Sequence, residues 1–169
     1  MNINRTLLTA ILPFAVALAA TSADAAGKTM LMSGVTCQAA TGTQGTCLDG
    51  SVFGVNNVCA TDVAVDCPIV APFETGAATT VGSFGINAFD RSSSSDVSCD
   101  VQKLASDGSV LYTKNLKTSG NSLPLQSQSF TPTPLSTLVS GTWKMRCIIP
   151  GVTGSGVSHV STYSFATVN

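Results

Sequence analysis

Hydrophobic and polar residues alternate with a period of two over several short stretches of this chain, and no window beyond residue 25 sustains a helical period. The sharpest alternation runs over residues 143–150, where Trp143, Met145, Cys147 and Ile149 share one face of an extended strand. Its best partner is the stretch 97–104, with Val97, Cys99 and Val101 on one face. Setting Cys99 directly opposite Cys147 in an antiparallel pair puts Val101 against Met145 and Val97 against Ile149 on the inner face. The same register sets Asp100 against Arg146 outside, where opposite charges add a few tenths to about 1 kcal/mol. Both faces agree, so alternation predicts the register and, with it, a Cys99–Cys147 disulfide.

The rest of the pattern reads as further short strands separated by turn signals. Residues 28–33 form a first strand, and 34–50, rich in Gly, Thr and Gln, a loop. Gly54-Val55-Asn56-Asn57 reads as a turn. In 62–70, Val63, Val65, Cys67 and Ile69 alternate with Ala64, Asp66 and Pro68; Pro68 cannot donate to a ladder, so that end lies at an edge or a strand terminus. A connection at 72–79, holding Glu74, leads to a strand at 83–90 whose Phe84, Ile86 and Ala88 form an apolar face. The serine-rich loop 90–96 follows. Ser106-Asp107-Gly108-Ser109 is a tight-turn signal that makes 97–104 and 110–116 antiparallel neighbours. Pro124, Pro132 and Pro134 leave room for one edge strand near 126–131. A last strand at 157–168, carrying Tyr163 and Phe165, follows the turn Gly154-Ser155-Gly156. About eight short strands indicate an all-β fold, an antiparallel β-sandwich of which the jelly roll is one form.

Arg5, the apolar run 7–20 and Ala23-Asp24-Ala25 have the form of a secretory signal peptide, so 1–25 is expected to be removed and 26–169 to form a single β-sandwich domain. The apolar run falls short of the roughly 20 residues a membrane span needs, and no other stretch approaches it. The mature chain is therefore expected to have no integral membrane segment and to be secreted or periplasmic. Only 10% of the residues are charged, against roughly 25% in an average domain. With 7 basic and 8 acidic side chains from residue 26 onward, there is no basic patch of the kind nucleic acid requires. Six cysteines, an even number in an exported chain, imply disulfides rather than metal ligands. Beyond Cys99 and Cys147, the other four are expected to pair among themselves, in an order that spacing alone does not choose. Each unstrained bridge contributes about 2 to 4 kcal/mol.

Gly54-Val55-Asn56-Asn57, Val65-Asp66-Cys67-Pro68-Ile69, Val97-Ser98-Cys99-Asp100-Val101, Arg146-Cys147-Ile148-Ile149-Pro150 and the stretch 158–163 together resemble a loose group of small exported proteobacterial proteins. There, a Gly-x-x-Asn turn precedes a Val-x-Cys-Pro strand, and a Val-x-Cys strand precedes a Cys-x-x-Pro strand. The resemblance brings no function with it. It implies that Cys37 bonds Cys67, leaving Cys47 and Cys59, additional to the pattern, to bond each other.

Catalytic chemistry finds little support. His159 is the only histidine, so there is neither a zinc ligand set nor a Cys-His dyad. Gly154-Ser155-Gly156 is not a nucleophile elbow. Asp62 and Asp66 share an outward strand face, which a solvated surface explains better than a glycosidase pair. Asp90 and Asp96, with the serines between them, could offer oxygens to Ca²⁺, the one cofactor candidate, although a plain polar loop is the favoured reading. Trp143 shares its face with Cys147 and is expected to pack over the disulfide, leaving Tyr112 and Tyr163 as candidate surface aromatics for sugar stacking. The preferred reading is an exported, non-enzymatic binding, adhesive or envelope-structural module. A carbohydrate-binding module, lectin-like and Ca²⁺-dependent in one version, is the alternative, and a small secreted hydrolase or inhibitor the third reading. The partners in view are a glycan or another envelope protein.

Overall fold

The computed structural model of the protein describes residues 29–69, 80–120, 124–132 and 142–168. The signal-peptide stretch 1–25 and the connection 72–79 with Glu74 lie outside the described residues, as does Pro134. The strands run in chain order as β1 (Thr29–Ser33), β2 (Gln38–Ala39), β3 (Leu48–Ser51), β4 (Gly54–Asn57), β5 (Val63–Pro68), β6 (Thr80–Phe89), β7 (Ser98–Leu104), β8 (Val110–Lys117), β9 (Gln126–Phe130), β10 (Thr142–Ile149) and β11 (His159–Val168), with 3₁₀ turns at Gly34–Thr36 and Gly42–Cys47.

Two antiparallel sheets result. One has the order β3-β4-β11-β6-β9, with β1 also beside β11; the other has the order β2-β5-β10-β7-β8. From β4 onward the pairs are nested: β4 with β11, β5 with β10, β6 with β9 and β7 with β8. Successive nested pairs fall in alternate sheets, as when one long hairpin is rolled over on itself. That arrangement is a jelly roll, with β1, β2 and β3 added at its margins. Period-two alternation drives it: Val63, Val65 and Cys67 of β5, Phe84, Ile86 and Ala88 of β6, and Met145, Cys147 and Ile149 of β10 are all buried between the sheets.

The central pair has the register read from the alternation, with Cys147 opposite Cys99, Met145 opposite Val101 and Arg146 opposite Asp100. Three disulfides staple the sandwich: Cys99–Cys147 within the second sheet, Cys37–Cys67 between the start of β2 and β5, and Cys47–Cys59 at the base of the β3–β4 hairpin. The 106–109 turn joins β7 to β8; Gly108 has φ +83°, and Asp107 Oδ1 accepts from Ser109 N–H at 2.9 Å.

Several expectations are corrected. Residues 54–57 form strand β4 instead of a turn, and the 34–50 loop contains β2, β3 and both 3₁₀ turns. Gly54 is glycine because its φ is +124° and because a Cβ there would collide with the Val160 carbonyl oxygen. Arg146 stands opposite Asp100 as the register requires, but its ion pair is made elsewhere. It sits between two strands, and Asp66 lies opposite it on β5, where the guanidinium forks onto the carboxylate at 2.8 and 2.9 Å. Asp100 instead accepts from the Asn115 amide at 2.8 Å. Trp143 packs on Phe84 of the facing sheet, with ring centroids 4.7 Å apart, since Met145 stands between it and Cys147 on that face. Tyr163 is buried, so it is no surface platform. Its hydroxyl donates to Pro68 O at 2.7 Å and shares a hydrogen bond with Thr36 Oγ1 at 2.8 Å, tying one sheet to the other.

Candidate functional site

The fold leaves space at one edge of the second sheet. β2 is only two residues long and pairs Gln38 with Asp66 and Ala39 with Val65, so it covers β5 only in part. On the other side of β5, pairing with β10 stops at Pro68 opposite Lys144, and Pro68, having no N–H, ends the strand. A groove of about 370 Å³ opens there, lined by Gln38 and Ala39, by Asp66, Cys67, Pro68 and Ile69, and by Trp143 and Lys144. That volume falls within the range of small-molecule sites, roughly 300 to 1,000 Å³.

Its two walls differ in chemistry. Trp143, Pro68 and Ile69 make the apolar one. Trp143 is braced from behind: Phe84 stacks on Phe130 with centroids 5.5 Å apart, and Tyr112 stands 6.2 Å from both Phe130 and Trp143. Lys103, on the inner face of β7, holds its ammonium 5.5 Å from the Trp143 ring centroid, and burial pushes its pKa down. Such a ring has little freedom left to lose on binding.

The polar wall carries Gln38, Asp66 and Lys144. The Arg146 fork holds the Asp66 carboxyl below the usual carboxylate range, and the charges of Lys144 and Arg146 add to it while partial burial opposes. The Lys144 ammonium stands 3.7 Å from Asp66 Oδ1. Asp66 is therefore a fixed anionic acceptor, Lys144 a threefold donor and the Gln38 amide both donor and acceptor. Polar groups of both kinds beside a tryptophan suit a ligand that has hydroxyls on its rim and C–H groups on its face.

Of the residues singled out from the sequence, Asp66 and Trp143 line this groove, and the other candidates lie elsewhere. His159 is in the other sheet, between Asn56 and Phe89, with the Phe89 ring 4.7 Å away. Burial lowers its pKa, the Arg91 charge lowers it further, and a hydrogen bond with the Val157 backbone opposes both. Asp90 is fully buried and accepts from Ser92 N–H at 3.1 Å and from the Thr118 hydroxyl at 2.7 Å. Asp96 accepts from Gly120 N–H at 3.0 Å and pairs with Lys117 at 2.9 Å. Both carboxylates thus lock the 90–96 loop onto the start of the 118–120 segment. Among the described residues, no three His, Cys, Asp or Glu side chains gather as a metal site. Asp62 accepts from Gly151 N–H at 3.0 Å and holds a chain crossing. Gln38 and Lys144 carry no signal of their own in the sequence; Asp66 reads there as a solvated strand face, Trp143 as disulfide packing and Pro68 as a strand end.

No family model and no curated protein matches the sequence. Among solved structures, a xylan-binding module, CBM15, aligns at 10% identity and TM-score 0.48 over 83% of this chain and 96% of its own. A family 6 carbohydrate-binding module aligns at 11% identity and TM-score 0.46 over 80% and 92%. A structure of infectious bursal disease virus aligns at 13% identity and TM-score 0.49 over 86% of this chain and 33% of that one. Likenesses of this size say nothing of a ligand; the nested strand order itself defines the fold. Among the described residues, no helix is long and apolar enough to cross a membrane.

Proposed function

We propose that the protein is an exported, non-catalytic binding module whose groove at the end of β5 takes a short saccharide. The observation that carries the proposal is the pairing of a braced Trp143 wall with Asp66, Lys144 and Gln38 across about 370 Å³. Sugars present C–H faces to aromatic rings and hydroxyls to carboxylates, ammonium groups and amides, and both kinds of partner line this groove. Export is supported by six cysteines joined in three bridges, which persist in oxidising compartments.

Titration calorimetry of the oxidised protein against a panel of neutral and uronic-acid oligosaccharides tests this directly. Binding is expected for at least one, and Gln38→Ala and Lys144→Ala, two side chains at the surface of the groove, should each weaken it while the melting temperature holds. Absence of binding across the panel, or binding that neither substitution affects, would refute the assignment.

A further inference from the structure

We infer that β1 is a docking edge for a second copy of this chain, joined to it as an antiparallel pair about a two-fold axis at Leu31. A sheet edge exposes unpaired N–H and C=O groups, and edges are commonly protected by charge, proline, a bulge or shortness. The other margins have such protection. β2 has two residues, and β3 has four, with Asp49 and Gly50 among them. β8 carries Lys114 and Lys117 and a register shift against β7. β9 is framed by Pro124 and Pro132.

β1 is no longer than β9, but it holds no charge, proline or bulge. It reads Thr-Met-Leu-Met-Ser, pairs evenly with β11 from Thr29 to Ser33, and has no second partner strand among the described residues. Its central side chain, Leu31, is 68% exposed. An apolar corner adjoins it. Gly34 and Gly54 both press on the Val160 carbonyl oxygen, so closely that a Cβ on either would collide with it, which brings their neighbours Val35 and Phe53 to one place. Val35 is 47% exposed, Phe53 67% and Val52 94%.

The strand is complementary to itself. With Leu31 on the axis, Met30 faces Met32 of the second copy and Thr29 faces Ser33. Each apolar side chain meets another on its own face of the sheet, and no charge is opposed. The formal net charge of −1 provides almost no repulsion between copies. A β1 pair would run the sheet on from one sandwich into the next.

Sedimentation equilibrium of the oxidised protein should show reversible dimers. Leu31→Lys, which sets two ammonium groups face to face at the axis, should weaken self-association roughly tenfold or more with an unchanged circular dichroism spectrum, and Phe53→Ser should weaken it less. Leu31→Cys should form a disulfide between copies that mass spectrometry locates at residue 31. A chain that stays monomeric up to millimolar concentration overturns the inference. So does a dimer that Leu31→Lys leaves intact, or the absence of a residue-31 cross-link.

Discussion

Asn57 ends β4 with its side chain fully buried, and its amide is saturated by the chain around it. Nδ2 donates to Thr61 O at 2.7 Å and to Ile149 O at 3.0 Å, while Oδ1 accepts from Cys59 N–H at 3.0 Å. One side chain thus joins the end of β4, the Cys59 corner and the end of β10 in the other sheet. Asn57→Ala removes all three bonds. The Ile149 carbonyl is left in a dry site, at a cost of about 1 to 3 kcal/mol, whereas Thr61 and Cys59 lie where water can reach and lose roughly 0.5 kcal/mol each. The expected total is about 2 to 4 kcal/mol. Asn57→Asp keeps the shape but turns a second oxygen toward the two carbonyls, so at neutral pH it should cost more than the alanine, by roughly 1 to 3 kcal/mol. The introduced carboxyl has its pKa raised in the folded state, because burial and facing oxygens disfavour its anion. Its protonated form contributes fully below the unfolded value, about 3.9, and that contribution is lost as pH rises through the folded value. Guanidinium unfolding of wild type and both variants at pH 4 and pH 7 measures this. The Asp deficit relative to wild type should be larger at pH 7 than at pH 4. Equal losses for the two variants at both pH values, or an Ala loss below about 1 kcal/mol, would show that Asn57 is a spectator.

The oxidised wild type should lose about 4 kcal/mol on Cys99→Ala with Cys147→Ala, whose sequence separation is 48, and about 3 kcal/mol on Cys47→Ala with Cys59→Ala, whose separation is 12, as loop-closure entropy requires; chemical denaturation gives both, and a reversed order would contradict that origin. Tyr163→Phe should cost about 1 to 2 kcal/mol by calorimetry, since Pro68 O loses its donor. Burial raises the Tyr163 pKa above 10.0, so its contribution is complete below pH 10 and is lost as pH rises through the folded value, a decline that the Phe variant should lack. Arg146→Lys breaks the fork on Asp66 at a partly exposed site and should cost only roughly 0.5 kcal/mol. Because Asp66 is held below 3.8, that difference should be present above pH 3.8 and vanish as pH falls through the lowered value, followed by unfolding across acid pH.

Strands with one buried face were legible because a half-buried strand writes its burial into a period of two. β5, β6, β7, β10 and β11 all do so, and with β7 and β10 even the register could be read, as two independent faces had to agree. β2, β3 and β4 are two to four residues long, too short for any period, and β4 imitates a turn because Gly54 and Asn57 occur there for other reasons. Gly54 clears a carbonyl from the neighbouring strand, and Asn57 satisfies buried backbone groups. Asp100 does stand opposite Arg146, as the alternation requires, but a central strand has a neighbour on each side, and the guanidinium turns to the carboxylate on the other, Asp66. The groove left almost no trace. It is built from the ends of three strands far apart in the chain, so no local pattern marks it, and Trp143 looked like disulfide packing because a face shared in one strand does not reveal what the opposite sheet brings against it.

The most direct measurement is an amide NMR titration of the oxidised protein with a saccharide that binds in calorimetry. If the groove is the binding site, saturable shifts should concentrate at Gln38, Ala39, Cys67, Ile69, Trp143 and Lys144, including the Trp143 indole N–H, and leave β9 and the 90–96 loop unmoved. Shifts confined to that loop or to the outer face of the β6–β11 pair, with the groove silent, would contradict it.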